Sequence, residues 1–419
     1  MSLRNQQEKN VKRLCVLISA YACEPNRGSE PEVGWQWVMH LANHCDLTVV
    51  TRSNNRDVIE AELKNISGPH PNFVYIDLSK GMLILKKKLR PRNLAVSLYY
   101  VMWQRSMRKK LAELCMDYDV IHHLTFASFR LPFVVTGKGK PCIVGPVGGC
   151  EEFPRDLLPK DVAHVRRKEL FRNLMTRIHT RLGLGMQKYR SVDVTLAATP
   201  EMADVFNRWG VAATVMPQIG MHNTGEEVRR NSIEGSEDEF RLLFVGNILY
   251  WKGVELILAS MAELPDNVTI TYVGDGPDMK ALKNAVHRYD LERRVNIVGR
   301  RTRNEVLKMY DSYDLFFYPS VHDSGSFTVL EAMASGLPVV CLDRGGPAVS
   351  VTSECGFVVQ SGAKEETCRG LAKAIQYYLD NPSVLRKHGI QAKKRINEVY
   401  NWESKAKQMI GVYTSVTEQ

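Results

Sequence analysis

Two carboxylates eight residues apart, Asp323 and Glu331, bracket a short loop of small residues, 324–326. The loop leads into an apolar segment typical of a helix, which ends at Gly336 and Pro338. A Gly/Ser loop that feeds a helix N-terminus presents unpaired N–H groups and the positive end of the helix dipole. The pattern therefore predicts a phosphate site, flanked by carboxylates that accept hydrogen bonds from hydroxyl groups.

Two strands are needed to position this loop. The apolar run Leu315–Tyr318 stands directly before Pro319, and Val339–Leu342 is a second run that ends near the glycines 345–346. In an open parallel sheet both strands end on the same edge, where ligands bind. The sequence thus predicts a ligand-binding edge, and the alternative is an ordinary helix start with solvated acids.

The segment resembles the nucleotide-sugar site of the retaining glycosyltransferases of family 4, which have the two-domain GT-B fold. The tetrapeptides 331–334 (Glu-Ala-Met-Ala) and 336–339 (Gly-Leu-Pro-Val) fit the family pattern. The family usually has a glutamate where this chain has Asp323, and a Ser-Phe-Gly-Leu loop where residues 324–327 read Ser-Gly-Ser-Phe. The shorter side chain of Asp323 changes the reach of the carboxylate, and hence which sugar it selects.

A second element of the same half resembles the family's phosphate-binding turn. Residues 246–253 follow a predicted strand and contain Lys252, whose ammonium is suited to neutralise a leaving diphosphate. Asn247 stands where family members commonly have an arginine, and Arg300 is a candidate substitute. The alternative for Arg300 is an exposed side chain that serves only solubility. The turn 274–277 lacks the spacing of a dinucleotide fingerprint and is interpreted as structural.

Two loops of the first half are predicted to form the opposite wall. Residues 20–37 contain Gly28 and Ser29, and small residues allow the backbone to approach donor phosphates. This segment matches a subgroup of the family, and a loop of such length without a role is unusual. The glycine-rich turn 145–149, followed by two glutamates, is assigned to acceptor binding.

Two adjacent histidines, His122 and His123, follow the predicted strand 119–121. Family members often have a histidine just beyond such a strand, near the anomeric carbon of the sugar. Because side chains alternate across a strand, one of the pair is expected to face the site, and His123 is favoured. His122 is then expected to be a core histidine that donates to a backbone carbonyl.

Length and patterning predict an α/β protein with two doubly wound, Rossmann-like domains that face each other across a cleft, the GT-B architecture. At 419 residues the chain exceeds what one core usually supports. We expect an acceptor-binding domain at residues 1–218 and a donor-binding domain at residues 219–401, with a terminal helix at 402–416 that packs back on the first domain. Strands are predicted at residues 11–19, 47–51, 74–77, 119–121, 142–144 and 194–197, and then at 241–245, 269–273, 295–298, 315–318, 339–342 and 356–359.

Composition limits the class of protein further. Nine scattered cysteines without a CxxC pair favour reduced thiols in the cytoplasm over a disulfide framework or a zinc site. The polar N-terminus and the lack of an apolar stretch of membrane length predict neither a signal peptide nor a transmembrane span. Because no Asp-x-Asp motif stands at a strand end, we expect no obligatory metal and no cofactor besides the donor substrate.

The net charge of +10 is unevenly distributed. Residues 80–110 contain many lysines and arginines and no acid, and residues 166–190 are again basic, with apolar side chains at helical spacing. Such surfaces suit an anionic membrane, which would place the protein peripherally on its inner face. The alternative is a solvated basic face over a helical core stripe. A nucleic-acid partner is not expected, because no aromatic-rich binding sheet or helix-turn-helix signature is present.

The resemblance implies transfer of a hexose from a nucleoside diphosphate sugar, UDP preferred over GDP, to an acceptor hydroxyl with retention at the anomeric carbon. The implied acceptor is a lipid-linked glycan or a growing surface polysaccharide. The implied catalytic residues are His123, Lys252, Asp323 and Glu331. The implied donor-binding residues are Gly28, Ser29, Asn247, Lys252, Arg300, Gly325, Ser326, Phe327, Thr328 and Glu331. The alternatives are a catalytically silent sugar-nucleotide-binding protein and another GT-B enzyme, such as a sugar-nucleotide epimerase.

Overall fold

The computed structural model of the chain describes residues 13–78, 81, 92–114, 118–131, 133, 139–158, 162–222 and 239–418, with side chains described at 96–111 of the helix 92–114. Residues 223–238, which follow the predicted domain boundary at residue 218, lie outside these residues. The basic segment 86–90, to which part of the membrane prediction refers, also lies outside them.

The first sheet has seven parallel strands in the order β3-β2-β1-β4-β5-β6-β7. Its strands are β1 Cys15–Ala20, β2 Asp46–Arg52, β3 Asn72–Ile76, β4 Val120–Thr125, β5 Cys142–Val147, β6 Val194–Ala197 and β7 Ala213–Val215. The six strands predicted here are confirmed, whereas β7 is an additional edge strand. Strand β4 extends to Thr125, so that His122 and His123 lie within the strand and not beyond it.

The second sheet has six parallel strands in the order β10-β9-β8-β11-β12-β13. Its strands are β8 Phe240–Val245, β9 Val268–Val273, β10 Val295–Gly299, β11 Leu315–Tyr318, β12 Val339–Leu342 and β13 Gly356–Val359. All six are predicted from the sequence, and their order is that of a doubly wound nucleotide-binding sheet. The expected fold class, two Rossmann-like domains, is therefore confirmed.

Helices cover the faces of both sheets. Those of the first half are α1 Ser29–Ala42, α2 Arg56–Leu63, α3 Arg92–Leu114, α4 Ala163–Leu182, α5 Met186–Arg190 and α6 Pro200–Arg208. Those of the second half are α7 Val254–Met261, α8 Met279–Arg288, α9 Arg303–Met309, α10 Phe327–Ala334, α11 Gly345–Ser350, α12 Lys364–Asp380, α13 Pro382–Arg395 and α14 Trp402–Thr417. Thr302 and Glu305 form a capping box that starts α9. Among the described residues, no helix is both long enough and apolar enough to cross a bilayer.

The last helix, α14, lies against the first half of the chain. The indole of Trp402 meets that of Trp37 edge to face, with ring centroids 5.5 Å apart. The buried ammonium of Lys405 donates to the carbonyl of Pro217 at 2.5 Å. These contacts fix the segment that connects the two sheets, because Trp37 Nε1 also donates to the carbonyl of Gln218.

Candidate active site between the two domains

A cleft of about 680 Å³ lies where the carboxyl ends of the two sheets face each other. Ser29 and Gly148 line it from the first domain, and Lys252, Asp323 and Ser326 line it from the second. This position outside the strand ends is where doubly wound sheets bind ligands. The segment that carries the sequence prediction therefore opens into the cleft.

The loop after β11 leads directly into helix α10. Residues 325–328 of this turn line the cleft. The hydroxyl of Ser326, the residue before the helix, lies 3.0 Å from the hydroxyl of Thr328, so it does not occupy the amides of the first turn. Those amides and the positive end of the helix dipole form a binding position for a phosphate.

The turn after β12 packs against this loop through backbone contacts. The amide of Gly346 donates to the carbonyl of Asp323 at 2.8 Å. Gly345 has a φ of +58°, and a Cβ atom there would lie only 2.0 Å from the same carbonyl oxygen. Glycine is required at this position because the two backbones are in direct contact. The two strand ends thus meet at one edge, as the sequence predicts.

Lys252, Asp323 and Tyr318 form a hydrogen-bonded group on the cleft wall. The Lys252 ammonium donates to Asp323 Oδ2 at 2.5 Å and to the Tyr318 hydroxyl at 2.7 Å, and this hydroxyl donates to Asp323 Oδ2 at 2.9 Å. Burial alone would lower the pKa of Lys252, but the electrostatic interactions and hydrogen bonds with Tyr318 and Asp323 outweigh it and raise that pKa. Lys252 therefore stays protonated and positively charged at the cleft.

Glu331 is held by other partners. Its carboxylate accepts from Arg303 Nε at 3.0 Å and from the Tyr310 hydroxyl at 3.4 Å. The side chain is buried, and this burial raises its pKa against the opposing influence of Arg303. Within the described part of the chain Glu331 is not one of the cleft-lining residues. The predicted role of Glu331 as a donor ligand stays a prediction.

The remaining predicted phosphate ligands of the second domain lie at the rim. Asn247 and Arg300 both line the cleft, and so does Arg301. The Arg301 guanidinium donates to the carbonyl of Arg300, which ties these neighbours together. Of these two arginines only Arg300 is predicted from the sequence, and Arg301 brings a second guanidinium to the same wall.

The loop after β1 supplies part of the opposite wall. It is shorter than the predicted segment 20–37, because α1 begins at Ser29. Ser29 and Glu30 line the cleft, and Glu30 accepts a hydrogen bond from the amide of Phe126 at 2.5 Å. Gly28 precedes the helix with a φ of +71° and, among the described residues, is not one of those that line the cleft.

Comparison with known proteins assigns the family of the second half. Residues 226–395 match the family described as group 1 glycosyl transferases. The second domain is a group 1 glycosyl transferase domain. This match includes Lys252, the loop 324–326 and Glu331.

Full-length structural likeness shows that the transferase domain is part of a GT-B fold. Sucrose-phosphate synthase from Thermosynechococcus elongatus superposes with a TM-score of 0.65 at 20% identity, over 97% of this chain and 100% of that one. Anabaena HepE in complex with UDP superposes with a TM-score of 0.60 at 15% identity, over 96% of this chain and 99% of the other. At these identities the likeness shows the fold alone.

Sequence relatives of the transferase domain cover part of the chain. An uncharacterized glycosyltransferase of Methanocaldococcus jannaschii is 28% identical over 193 residues, which are 44% of this chain and 47% of that protein. The chain spans less than half of the length of the curated relatives that it first matches.

The two adjacent histidines are buried within the first sheet. His123 is 1% exposed, and its ring bonds the Tyr100 hydroxyl at 3.0 Å and the Ser19 hydroxyl at 3.1 Å. His122 points to the other side of the sheet, where it bonds the carbonyl of Gly145 and the hydroxyl of Tyr413. Among described residues, neither histidine lines the cleft. The predicted contact of His123 with the sugar therefore stays a prediction, and in this structure Tyr100 and Ser19 hold both of its ring nitrogens.

The glycine-rich turn 145–149 of the first domain faces the loop 324–326 of the second domain. Gly148 and Gly149 line the cleft, and a Cβ atom on Gly148 would lie 3.5 Å from the Cβ of Ser324. Of the two following acids, Glu151 is buried, and Glu152 pairs with Arg177 at 2.6 Å. The assignment of this turn to acceptor binding stays a prediction.

Sequence reasoning missed two partners of the transferase site residues. Tyr318 orients Lys252, and its hydroxyl at the carboxyl end of a buried strand was a usable signal. Arg303 pairs with Glu331 from a separate helix, and nothing in the spacing of these residues indicates that contact.

Proposed function

We propose that this protein is a retaining hexosyltransferase of family 4 that uses a nucleoside diphosphate sugar, with UDP preferred over GDP. The observation that carries the proposal is the joint placement of the α10 amide turn and the Lys252–Asp323 pair on one interdomain cleft. One element suits a phosphate, and the other supplies a cation for the leaving group and a carboxylate for sugar hydroxyls. The HepE structures that contain UDP and UDP-glucose support the choice of donor.

In the proposed reaction the protein mainly positions charges. The bond between the anomeric carbon and the diphosphate oxygen breaks, and a bond to the acceptor oxygen forms on the same face. The acceptor proton passes to the departing diphosphate. Lys252 and the amides of α10 stabilise the negative charge that develops on that group, while Asp323 orients the sugar. We also propose that no bound metal is required, because Lys252 and the helix N-terminus provide the positive charge.

The proposed acceptor is a lipid-linked glycan or a growing polysaccharide at an anionic membrane, and helix α4 supports this part. Its inner face is polar, since Glu169, Asn173 and Thr176 are buried. Its outer face is apolar, with Phe171 63% and Leu174 51% exposed. This is the reverse of an ordinary surface helix.

Charge on α4 matches the same partner. Exposed basic residues flank the apolar stripe, at Arg166, Arg167, Lys168 and Arg181. The single acid of the helix is Glu169, which is 1% exposed and points inward. An apolar stripe between cations suits an interface of acyl chains and anionic headgroups.

Vesicle flotation tests the membrane part. The wild-type protein is expected to float with anionic vesicles at low salt and to be released at high salt. The double variant Phe171→Ser/Leu174→Ser is expected to lose most of this binding, whereas Ile390→Ser is the matched control. Ile390 is 55% exposed but lies on α13 of the second domain. Absence of wild-type binding at low salt refutes the membrane assignment.

Ligand screening and turnover test the transferase part. A nucleotide sugar at a hundred times its dissociation constant adds about 2.7 kcal/mol to the stability of the folded state, which a thermal-shift screen detects. Glu331→Ala and Lys252→Ala are each expected to lower donor turnover at least about tenfold while the fold survives. Near-normal rates in both variants refute the site assignment. Binding of a nucleotide sugar without transfer or hydrolysis indicates the silent binding protein instead.

A further inference from the structure

A side-chain hydrogen bond crosses the domain boundary beside Lys252. The hydroxyl of Tyr250 donates to Glu169 Oε1 at 2.5 Å. Glu169 belongs to α4 of the first domain, and Tyr250 begins the one-turn 3-10 helix Tyr250–Lys252 of the second. The bond therefore joins an element of the acceptor side to the turn that carries the Lys252 ammonium.

Glu169 is an unusual residue for its environment. It is 1% exposed, and all other charged residues of its helix are basic. A buried carboxylate is costly unless it is paired. Arg172 Nη2, one turn further along, lies 2.8 Å from Glu169 Oε2 and supplies the counter-charge. With one oxygen held by Arg172, the other is oriented toward Tyr250.

Tyr250 is fixed from both domains. Its backbone amide donates to Asp278 Oδ2 at 2.8 Å, within the second domain, and its ring packs against Phe153 of the first with centroids 5.9 Å apart. Three residues later the turn ends at Gly253, where a Cβ would lie 2.0 Å from the carbonyl oxygen of Pro319. The turn is held at its end by backbone contact and at its beginning by the bond to Glu169.

We propose that Glu169 is a positioning residue for Lys252, acting through Tyr250 across the domain boundary. The inference rests on the proposed function, because it concerns the lysine assigned to the leaving diphosphate. When the first domain is in place, the bond keeps the turn where the ammonium reaches both Asp323 and the diphosphate. When the domains separate, the turn loses one of its supports and the lysine loses its alignment.

Tyr250→Phe, Glu169→Gln and the double variant test the proposal. Tyr250→Phe is expected to lower kcat about tenfold, with the donor KM and the thermal shift produced by UDP changed less than about twofold, because the α10 amides still bind the ground state. The double variant Tyr250→Phe/Glu169→Ala is expected to be no slower than Tyr250→Phe, since each of its changes removes the same hydrogen bond. Glu169→Gln, which keeps an acceptor oxygen, is expected to be faster than Glu169→Ala.

A second hydrogen bond of the same kind provides the control. The Tyr75 hydroxyl donates to Glu60 Oε1 at 2.9 Å on the far side of the first domain. Tyr75→Phe and Glu60→Gln are expected to leave kcat unchanged. Wild-type kcat in Tyr250→Phe, or additive losses in the double variant, would overturn the inference.

Hydrogen exchange gives a readout that does not depend on turnover. The amides of Lys252 and Gly253 are expected to exchange several-fold faster in both Tyr250→Phe and Glu169→Ala than in the wild type. Unchanged exchange overturns the positioning role even if the protein is active. A wild type that turns over no nucleotide sugar refutes the proposed function, while faster exchange in the variants still supports the link between Glu169 and the turn.

Discussion

Lys252 and Asp323 are each other's partner, with the ammonium nitrogen 2.5 Å from the carboxylate oxygen and both side chains mostly buried. The group proposed to hold the diphosphate is thus in direct contact with the group proposed to hold the sugar. In the proposed reaction Lys252 stabilises the charge that develops on the leaving oxygen, and Asp323 accepts hydrogen bonds from sugar hydroxyls.

This pairing predicts different effects on stability and on activity. Lys252→Ala or Asp323→Ala leaves one buried charge unpaired, at a cost of about 3 kcal/mol, whereas the double variant removes both charges. The double variant is therefore expected to melt at a higher temperature than either single variant, while donor turnover falls at least about tenfold in all three. Thermal unfolding and donor turnover measure these effects. A double variant that is less stable than both single variants contradicts the pairing.

The arginine that family members carry at the position of Asn247 leads to a rescue experiment. If Arg300 supplies the missing positive charge at the cleft rim, Arg300→Ala should weaken donor binding about tenfold, and Asn247→Arg should restore it in the same chain. The dissociation constant of UDP, measured by calorimetry, is the readout. Arg288→Ala is the control, since Arg288 pairs with Glu255 on the outer surface. Unaltered affinity in Arg300→Ala assigns Arg300 to the solvated surface.

The buried histidines predict a loss of stability in acid. Burial lowers the pKa of His123 to about 3 and that of His122 to about 4, below the ordinary value near 6.5 that holds in the unfolded chain. Between those values the unfolded state binds more protons, so stability is complete above about pH 6.5 and falls as the pH decreases. From about pH 7.5 to about pH 5, one such histidine accounts for a loss of about 2 kcal/mol.

Unfolding of His123→Gln at the two pH values measures this contribution. The variant is expected to lose about 2 kcal/mol less than the wild type between them, because it has one buried imidazole fewer. His70→Gln, at an exposed position, is the control. The same pH dependence in His123→Gln and the wild type contradicts the assignment of His123 as a neutral core residue.

The proposal of metal-independent transfer is tested by chelation. Because Lys252 and the α10 amides are proposed to stabilise the leaving diphosphate, donor turnover is expected to change less than about twofold after dialysis against a strong chelator. A large loss that added magnesium or manganese restores shows that a cation takes part. Thermal unfolding before and after dialysis distinguishes an effect on the fold from one on the reaction.

The strand framework could be predicted because each strand of a covered parallel sheet is a short apolar run bounded by Gly or Pro. Leu315–Tyr318 and Val339–Leu342 carry this signal, and the structure has both strands with the predicted bounds. Ala213–Val215 lacks it, because this edge strand has only three residues and two of them are exposed. The loop 324–326, which lies between β11 and β12, could be located for the same reason.

The partners of the site residues could not be predicted. Alternation along β4 indicates that His122 and His123 point to opposite faces, but the packing of helices decides which face lies near the cleft. Glu169 and Tyr250 are 81 residues apart, and their hydrogen bond exists only once the two domains meet. Local patterns fix elements and turns, whereas contacts between distant side chains depend on the assembled tertiary structure.

In helix α4 the residues that hold the helix in the fold differ from those that are proposed to contact a membrane. The buried amide of Asn173 exchanges two hydrogen bonds with the backbone of Phe153, so the inner face is tied to the protein regardless of what covers the outside. Phe171 and Leu174 contribute little to that interior. Related chains can therefore acquire different outer residues on this helix and serve different surfaces, while the same inward residues keep the helix in place.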